Sequence, residues 1–202
     1  MPAARRTHYV SKRIALFDFD GTIIRGDSTR LLYKNLFKYR SCFFLNYYLR
    51  HLRPLIIRIV TGNHRWLKES RRKYLLKRVN LEHLGEFLVL LKKETFKIVF
   101  NRLVDLNSSG CEIIIVSAGY KEIIEAYLNS ELDALVVARS IYDVEPSEIN
   151  FEVKVEKVLK RVSSEDVIEE AYGNTKGDIP MLELAEKAFW VDENGKISEF
   201  VS

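Results

Sequence analysis

Arg13-Ile14-Ala15-Leu16-Phe17-Asp18-Phe19-Asp20-Gly21-Thr22 joins an apolar run to an acidic one. Four apolar residues, Ile14 to Phe17, have the pattern of a buried strand. The run stops on two carboxylates one residue apart, followed by Gly and Thr. A buried parallel strand that ends in acids aims them at the crevice outside its carboxyl end, where open α/β sheets take their ligands. Two carboxylates this close repel unless a cation lies between them. An oxygen-only donor set of this kind suits Mg2+. The plainer reading is a strand followed by an Asx turn at Asp20-Gly21, and the rest of the chain decides between the two.

Working outward, the same pattern recurs. Cys111 to Val116 is a second buried strand, ending in Ser117-Ala118-Gly119, with a helix from about Tyr120 to Leu128. Ala134 to Ala138 is a third. Val167 to Tyr172 is a fourth, ending in Gly173-Asn174-Thr175-Lys176-Gly177-Asp178. Pro180 opens a helix through Lys187, Ala188 to Val191 is a fifth strand, and Asn194-Gly195 turns into a small last strand. Ser140 to Asn150, with Pro146, reads as a hairpin excursion before a short helix over 154–161. Strands alternating with helices imply a mainly parallel sheet with right-handed crossovers. Three strands end in polar clusters, and in such a sheet those ends share one edge. That convergence predicts a single active site.

Between Ile24 and Gly110 the pattern is helical throughout. Asp27-Ser28 starts one helix, and Cys42 to Val60 gives an amphipathic helix or helix pair rich in Phe and Tyr. Arg50, His51, Arg53, Pro54 and Arg58 interrupt that stretch, which excludes a membrane span. Thr61-Gly62-Asn63 is a turn. His64 to Val79 and Leu81 to Leu106 read as two further helices, the second long and open to a break. The block is an insertion over the active edge. The expected fold is therefore α/β, a Rossmann-like parallel sheet core with an all-helical cap, the core formed by 1–26 and 107–202 and the cap by 27–106.

Composition agrees with a globular chain: 202 residues can bury one good core, and 47% apolar with 30% charged residues excludes a disordered polymer. Cys42 and Cys111 lie far apart, with neither metal-ligand spacing nor a disulfide framework, so a reducing, cytoplasmic setting is expected. The basic lead-in to Arg13 lacks the apolar core of a secretory signal and reads as disordered. The net charge of +4 conceals an asymmetry. From Arg25 to Asn80 there are fifteen Lys and Arg against two acids, whereas the remainder has seventeen bases against twenty-six acids. Two regions so different in charge have different neighbours. For the basic, aromatic block two readings stand: the charges form a solvated face and the aromatics the block's own core, or the block touches an anionic membrane surface from outside. Nucleic acid is the weaker candidate, because no recognised binding motif accompanies the charge.

Each remaining polar cluster has a functional and a plain reading. Ser117-Ala118-Gly119, between strand and helix, offers a hydroxyl and free amides to a phosphate, or is a simple N-cap. Lys154, with Lys157 and Lys160 on the same short helix, could neutralise a phosphoryl group and a nucleophile, or be solvated. Asp178 before Pro180 could hold a metal, cap a helix, or do both.

Asp18-Phe19-Asp20-Gly21-Thr22 resembles the first motif of the haloacid dehalogenase (HAD) superfamily of aspartate-based phosphatases. Ser117-Ala118-Gly119 resembles its second motif, and Lys154-Val-x-x-x-Leu159 the third motif of the phosphoserine-phosphatase-like branch, which selects Lys154 over Lys157 and Lys160. Tyr172 to Leu182 resembles the fourth, usually Gly-Asp-x-x-x-Asp; here Asn174 replaces the first acid. An amide oxygen can ligate Mg2+ but carries no charge. The resemblance covers 13–26 and 110–191 and implies a Mg2+-dependent phosphatase acting on a phosphorylated small molecule or lipid. In that reading Asp18 attacks phosphorus to form an aspartyl-phosphate, and Asp20 protonates the leaving oxygen and then activates water. Ser117, Ala118, Gly119 and Lys154 bind the phosphoryl group, and Asp18, the Asp20 carbonyl, Asn174 and Asp178 hold the metal. The alternative is a catalytically degenerate HAD-like protein, marked by Asn174, whose basic aromatic cap binds an anionic membrane or nucleic acid.

Overall fold

The computed structural model of the chain describes residues 11–38, 41–61, 81–128, 132, 134–140 and 151–201. The strands are β1 (Arg13–Phe17), β2 (Glu112–Tyr120), β3 (Ala134–Arg139), β4 (Val167–Gly173), β5 (Lys187–Val191) and β6 (Ile197–Glu199). They form one sheet in the order β3-β2-β1-β4-β5-β6, parallel except for β6. The helices are α1 (Ser28–Lys38), α2 (Ser41–Thr61), α3 (Leu81–Lys93), α4 (Lys97–Ser108), α5 (Lys121–Leu128), α6 (Phe151–Leu159) and α7 (Ile179–Leu182), with a 3-10 turn at Lys176–Asp178. This is the α/β Rossmann-like architecture expected from the alternation of strands and helices.

β1 is central, so its residues are buried on both faces and read as an unbroken apolar run. Ala15 and Phe17 face a core shared with Ile113 and Ile115 of β2, Phe87 and Leu91 of α3, Val99 and Leu103 of α4 and Tyr127 of α5. Ile14 and Leu16 face the opposite core, with Ile114, Val137, Val158 of α6, and Met181 and Leu182 of α7.

The helix expected over 81–106, long and open to a break, divides at Glu94-Thr95-Phe96. There the backbone bonds sideways: Arg25 N–H to Glu94 O at 2.7 Å, and Phe96 N–H to Ile23 O at 2.9 Å. Those bonds replace helical ones and stitch the loop after β1 to the helices, with Ile24 and Thr95 forming an antiparallel bridge. The expected helix at Tyr120 starts one residue later, because β2 continues beyond Val116. Its pairing with β3 shifts register between Val116 and Tyr120, and Tyr120 still pairs with Arg139. Ser117-Ala118-Gly119, expected between strand and helix, is therefore an irregular stretch of the strand itself. The helix opened by Pro180 is also shorter than expected. It ends at Leu182, and the chain tightens through Leu184 and Ala185 into the sheet, where Glu186 N–H bonds Ile168 O. The helix expected over His64–Val79 and the excursion over Ser140–Asn150 fall outside the described residues but for Ser140, and the lead-in does so up to Val10.

Candidate active site

The carboxyl ends of β1, β2 and β4 meet at one edge. β1 delivers Asp18, whose N–H donates to Tyr172 O of β4 at 2.9 Å. Beneath it the Tyr172 ring stacks between Phe17, with centroids 4.5 Å apart, and Phe189 at 4.9 Å, giving the edge a flat aromatic floor. Gly21, with φ +82°, turns the chain back on itself. Its N–H donates to Ile24 O at 2.8 Å, closing a tight loop that holds Asp20. Asp20 Oδ1 in turn accepts the Ser28 N–H at 2.8 Å, so the first residue of α1 anchors the second carboxylate.

Lys154 of α6 comes in from the side. Its Nζ donates to Asp18 Oδ1 at 3.0 Å and to Asp178 Oδ1 at 2.9 Å, and all three side chains are buried. Lys160, by contrast, lies on the surface paired with Glu156. The other oxygen of Asp178 accepts from the N–H groups of Asn174 and Thr175 and from the Thr175 hydroxyl. Asp178 thus shapes the loop after β4 as well as holding Lys154. Gly173 is needed there, since a Cβ would sit 2.6 Å from the Asp178 Cβ.

Ser117 is fully buried and its Oγ accepts the Gly119 N–H at 3.0 Å, while Ala118 points outward and is exposed. A Cβ on Gly119 would lie 3.2 Å from both Asp20 Oδ2 and Ser117 Oγ. The irregular stretch of β2 therefore packs directly on the loop of β1. Asn174 stands on the other side: a Cβ on Gly21 would be 2.1 Å from its Nδ2. All the residues expected at the site lie around this one edge.

Two residues join them that sequence reasoning missed. Thr22 is fully buried, and its Oγ1 lies 3.3 Å from Asp18 Oδ2 and 3.2 Å from Asn174 Oδ1, linking the first and last clusters. Its place in the first motif was the available signal. Ser28 was read only as a helix start.

Burial dominates the electrostatics. It pushes Asp18 up to about 7, with repulsion from Asp178 and Asp20 adding to the effect and Lys154 opposing it. Burial also pushes Asp20 up to about 6, against the Ser28 hydrogen bonds. For Lys154 burial alone would favour the neutral amine, but Asp18 and Asp178 outweigh it and hold the ammonium above its ordinary value. Two carboxylates thus share one ammonium, with Asp20 as a third acid close by. The surplus of negative charge, in an all-oxygen setting, fits a divalent hard cation. Among the described residues no three His, Cys, Asp or Glu side chains converge as a ready cage.

The description "haloacid dehalogenase-like hydrolase" belongs to the family model that matches residues 15–183, a span taking in all four motif segments. No curated protein matches the chain. Among solved structures, a protein of unknown function from Bordetella pertussis Tohama I superposes with a TM-score of 0.69 at 18% identity, over 89% of each chain. A HAD family hydrolase from Salmonella enterica serovar Typhi gives 0.55 at 18% identity, over 87% of this chain and 60% of that one. A phosphoserine phosphohydrolase-like protein from Francisella tularensis gives 0.53 at 18% identity, over 87% and 85%. The likeness to these structures is one of fold, and the family follows from the matched span: the chain belongs to the haloacid dehalogenase-like hydrolases.

Proposed function

We propose that this hydrolase is a Mg2+-dependent phosphatase that cleaves a phosphate monoester of a small molecule or lipid. The observation that supports it most is the pair of buried bonds from Lys154 to Asp18 and Asp178. A nucleophilic carboxylate, a proton-carrying carboxylate and a fixed cation then face one crevice.

In the first step a carboxylate oxygen of Asp18 attacks phosphorus, the ester P–O bond breaks, and the leaving oxygen takes its proton from Asp20. A carboxyl group held near 6 is still partly protonated at neutral pH, which suits that duty; Asp18, pushed by burial up to about 7, attacks as the carboxylate, a form that the Lys154 ammonium favours and that bound Mg2+ would favour further. In the second step Asp20, now ionised, takes a proton from water. The water oxygen attacks phosphorus, the aspartyl P–O bond breaks, and Asp18 and Asp20 return to their starting forms. An ammonium has three protons, of which Asp18 and Asp178 take two; the third is placed for a phosphoryl oxygen. Ser117 already accepts from Gly119, so its own proton can be given to the phosphoryl group. Mg2+, held by Asp18, the Asp20 carbonyl, Asn174 and Asp178 directly or through water, would supply positive charge against the phosphoryl oxygens.

The division into a core (1–26 and 107–202) and a helical cap (27–106) belongs to the same proposal, with α4 as the joint, since Val99 and Leu103 pack into the sheet's own core. The competing reading, a degenerate site, rests on Asn174 alone. Turnover of p-nitrophenyl phosphate by the purified chain, with and without Mg2+, separates the two. Mg2+-dependent release of nitrophenol is expected, and its absence would favour the degenerate reading.

A further inference from the structure

α2 carries an apolar stripe that faces out. Leu49, Leu52, Ile56, Ile59 and Val60 are each more than half exposed. Their spacing of three, four, three and one residues keeps them on one face of the helix. His51, on the opposite side, is buried and marks the inward face. Arg53 is exposed along the edge of the stripe. Arg58, seven residues after His51, falls on the His51 side and is half-buried, so Arg53 is the cation at the stripe, and α2 has no acid over its 21 residues. No helix among the described residues is long and apolar enough to cross a membrane.

We infer that the outer face of α2 docks on an anionic bilayer surface, the helix lying in the interface with its apolar stripe down and Arg53 at its edge among the head groups. Charge selects this occupant over the others. A second copy seated across a two-fold axis would set acid-free, arginine-bearing helices against each other. Residues 62–80 of the chain itself carry seven bases and one acid, so they offer the stripe no complementary charge either. An anionic lipid surface complements both the stripe and the exposed Arg53 at its edge, on a helix without acids. The docked helix also packs on α1, whose first residue anchors Asp20, so the active edge would lie one helix away from the lipid. Docking requires no catalytic step and stands apart from the phosphatase reading.

The test is sedimentation of the full chain with vesicles of phosphatidylcholine alone and of phosphatidylcholine with phosphatidylglycerol, at low and high salt. Binding to the phosphatidylglycerol vesicles only, lost at high salt, is expected. Ile56→Glu with Ile59→Glu, at exposed positions, should lower the bound fraction at least tenfold while circular dichroism and p-nitrophenyl phosphate turnover stay as in the unaltered chain. Recovery in the supernatant with both vesicle types overturns the proposal, as does equal binding to both. So does binding by the double variant equal to that of the unaltered chain. A concentration-dependent dimer in analytical ultracentrifugation that the double variant abolishes would assign the face to a second copy instead. Because turnover is read separately, failure to dock leaves the phosphatase reading untouched, and failure to turn over leaves docking untouched.

Discussion

Asp18 and Asp20 carry the reading at the scale of single residues, and their protonation makes it testable without turnover. Both are pushed well above the ordinary aspartate value, to about 7 and about 6, so between pH 4 and 7 the folded, metal-free chain binds more protons than the unfolded one. Stability from these two groups is complete below their unfolded values and is lost as pH rises towards 7. The metal-free protein should therefore melt at a lower temperature at pH 7.5 than at pH 5.5. Asp18→Asn should weaken that slope, and Mg2+ should flatten it in the unaltered chain by favouring the ionised carboxylates. Parallel melting curves for chain and variant would contradict the assignment of charge. Asn174 makes a second residue-scale case. Replacing its amide by a carboxylate adds formal charge beside the cation, so Asn174→Asp should lower the Mg2+ concentration for half activity by about tenfold, the effect of about 1.4 kcal/mol. An unchanged or higher value in a Mg2+ titration would put Asn174 outside the metal's surroundings. Most of this site was legible in the sequence, because its acids interrupt apolar runs. Thr22 was not singled out, since a Thr after Asp-Gly reads as turn chemistry until its buried hydroxyl is seen between Asp18 and Asn174. The choice among Lys154, Lys157 and Lys160 was open on periodicity, which does not say which face of α6 turns to the sheet.

Elements explain where the reading strained. Local pattern foretells a strand's beginning better than its end: β2 outlasts its apolar run because Tyr120 still finds Arg139 across the ladder. The helix over 81–106 breaks because the backbone at Glu94 and Phe96 bonds the loop after β1, a long-range choice that helical spacing cannot contain. That loop depends on Gly21. Gly21→Ala would force a non-glycine residue to φ +82° and drive its methyl into Asn174. It should cost about 1–2 kcal/mol in urea unfolding and raise the Mg2+ requirement together. Loss of stability with an unchanged Mg2+ titration would uncouple the loop from the metal. Farther back, Arg102 of α4 pairs with the buried Glu170 and donates to the Tyr172 hydroxyl, tying α4 to the strand that leads into Asn174. Arg102→Ala leaves Glu170 without its cation and should destabilise the chain by about 3 kcal/mol. Urea unfolding checks this, and a change below about 1 kcal/mol would show that Tyr172 alone satisfies Glu170.

For the whole molecule, the order of strands was readable from alternation, while the pairing order β3-β2-β1-β4-β5-β6 comes only from the structure. The charge asymmetry was visible in the chain, yet that α2 turns an apolar stripe outward comes only from the structure. The account rests on one event, transfer of the phosphoryl group to Asp18. Borohydride quenching of the enzyme during steady turnover of p-nitrophenyl phosphate with Mg2+ tests it directly, because an acyl phosphate is reduced where it forms. Peptide mapping should find Asp18 converted to homoserine, dependent on substrate and absent from Asp18→Asn, which should itself turn over ~10³-fold more slowly or worse while keeping its circular dichroism. Conversion at another carboxylate, or none while hydrolysis continues, would contradict the account.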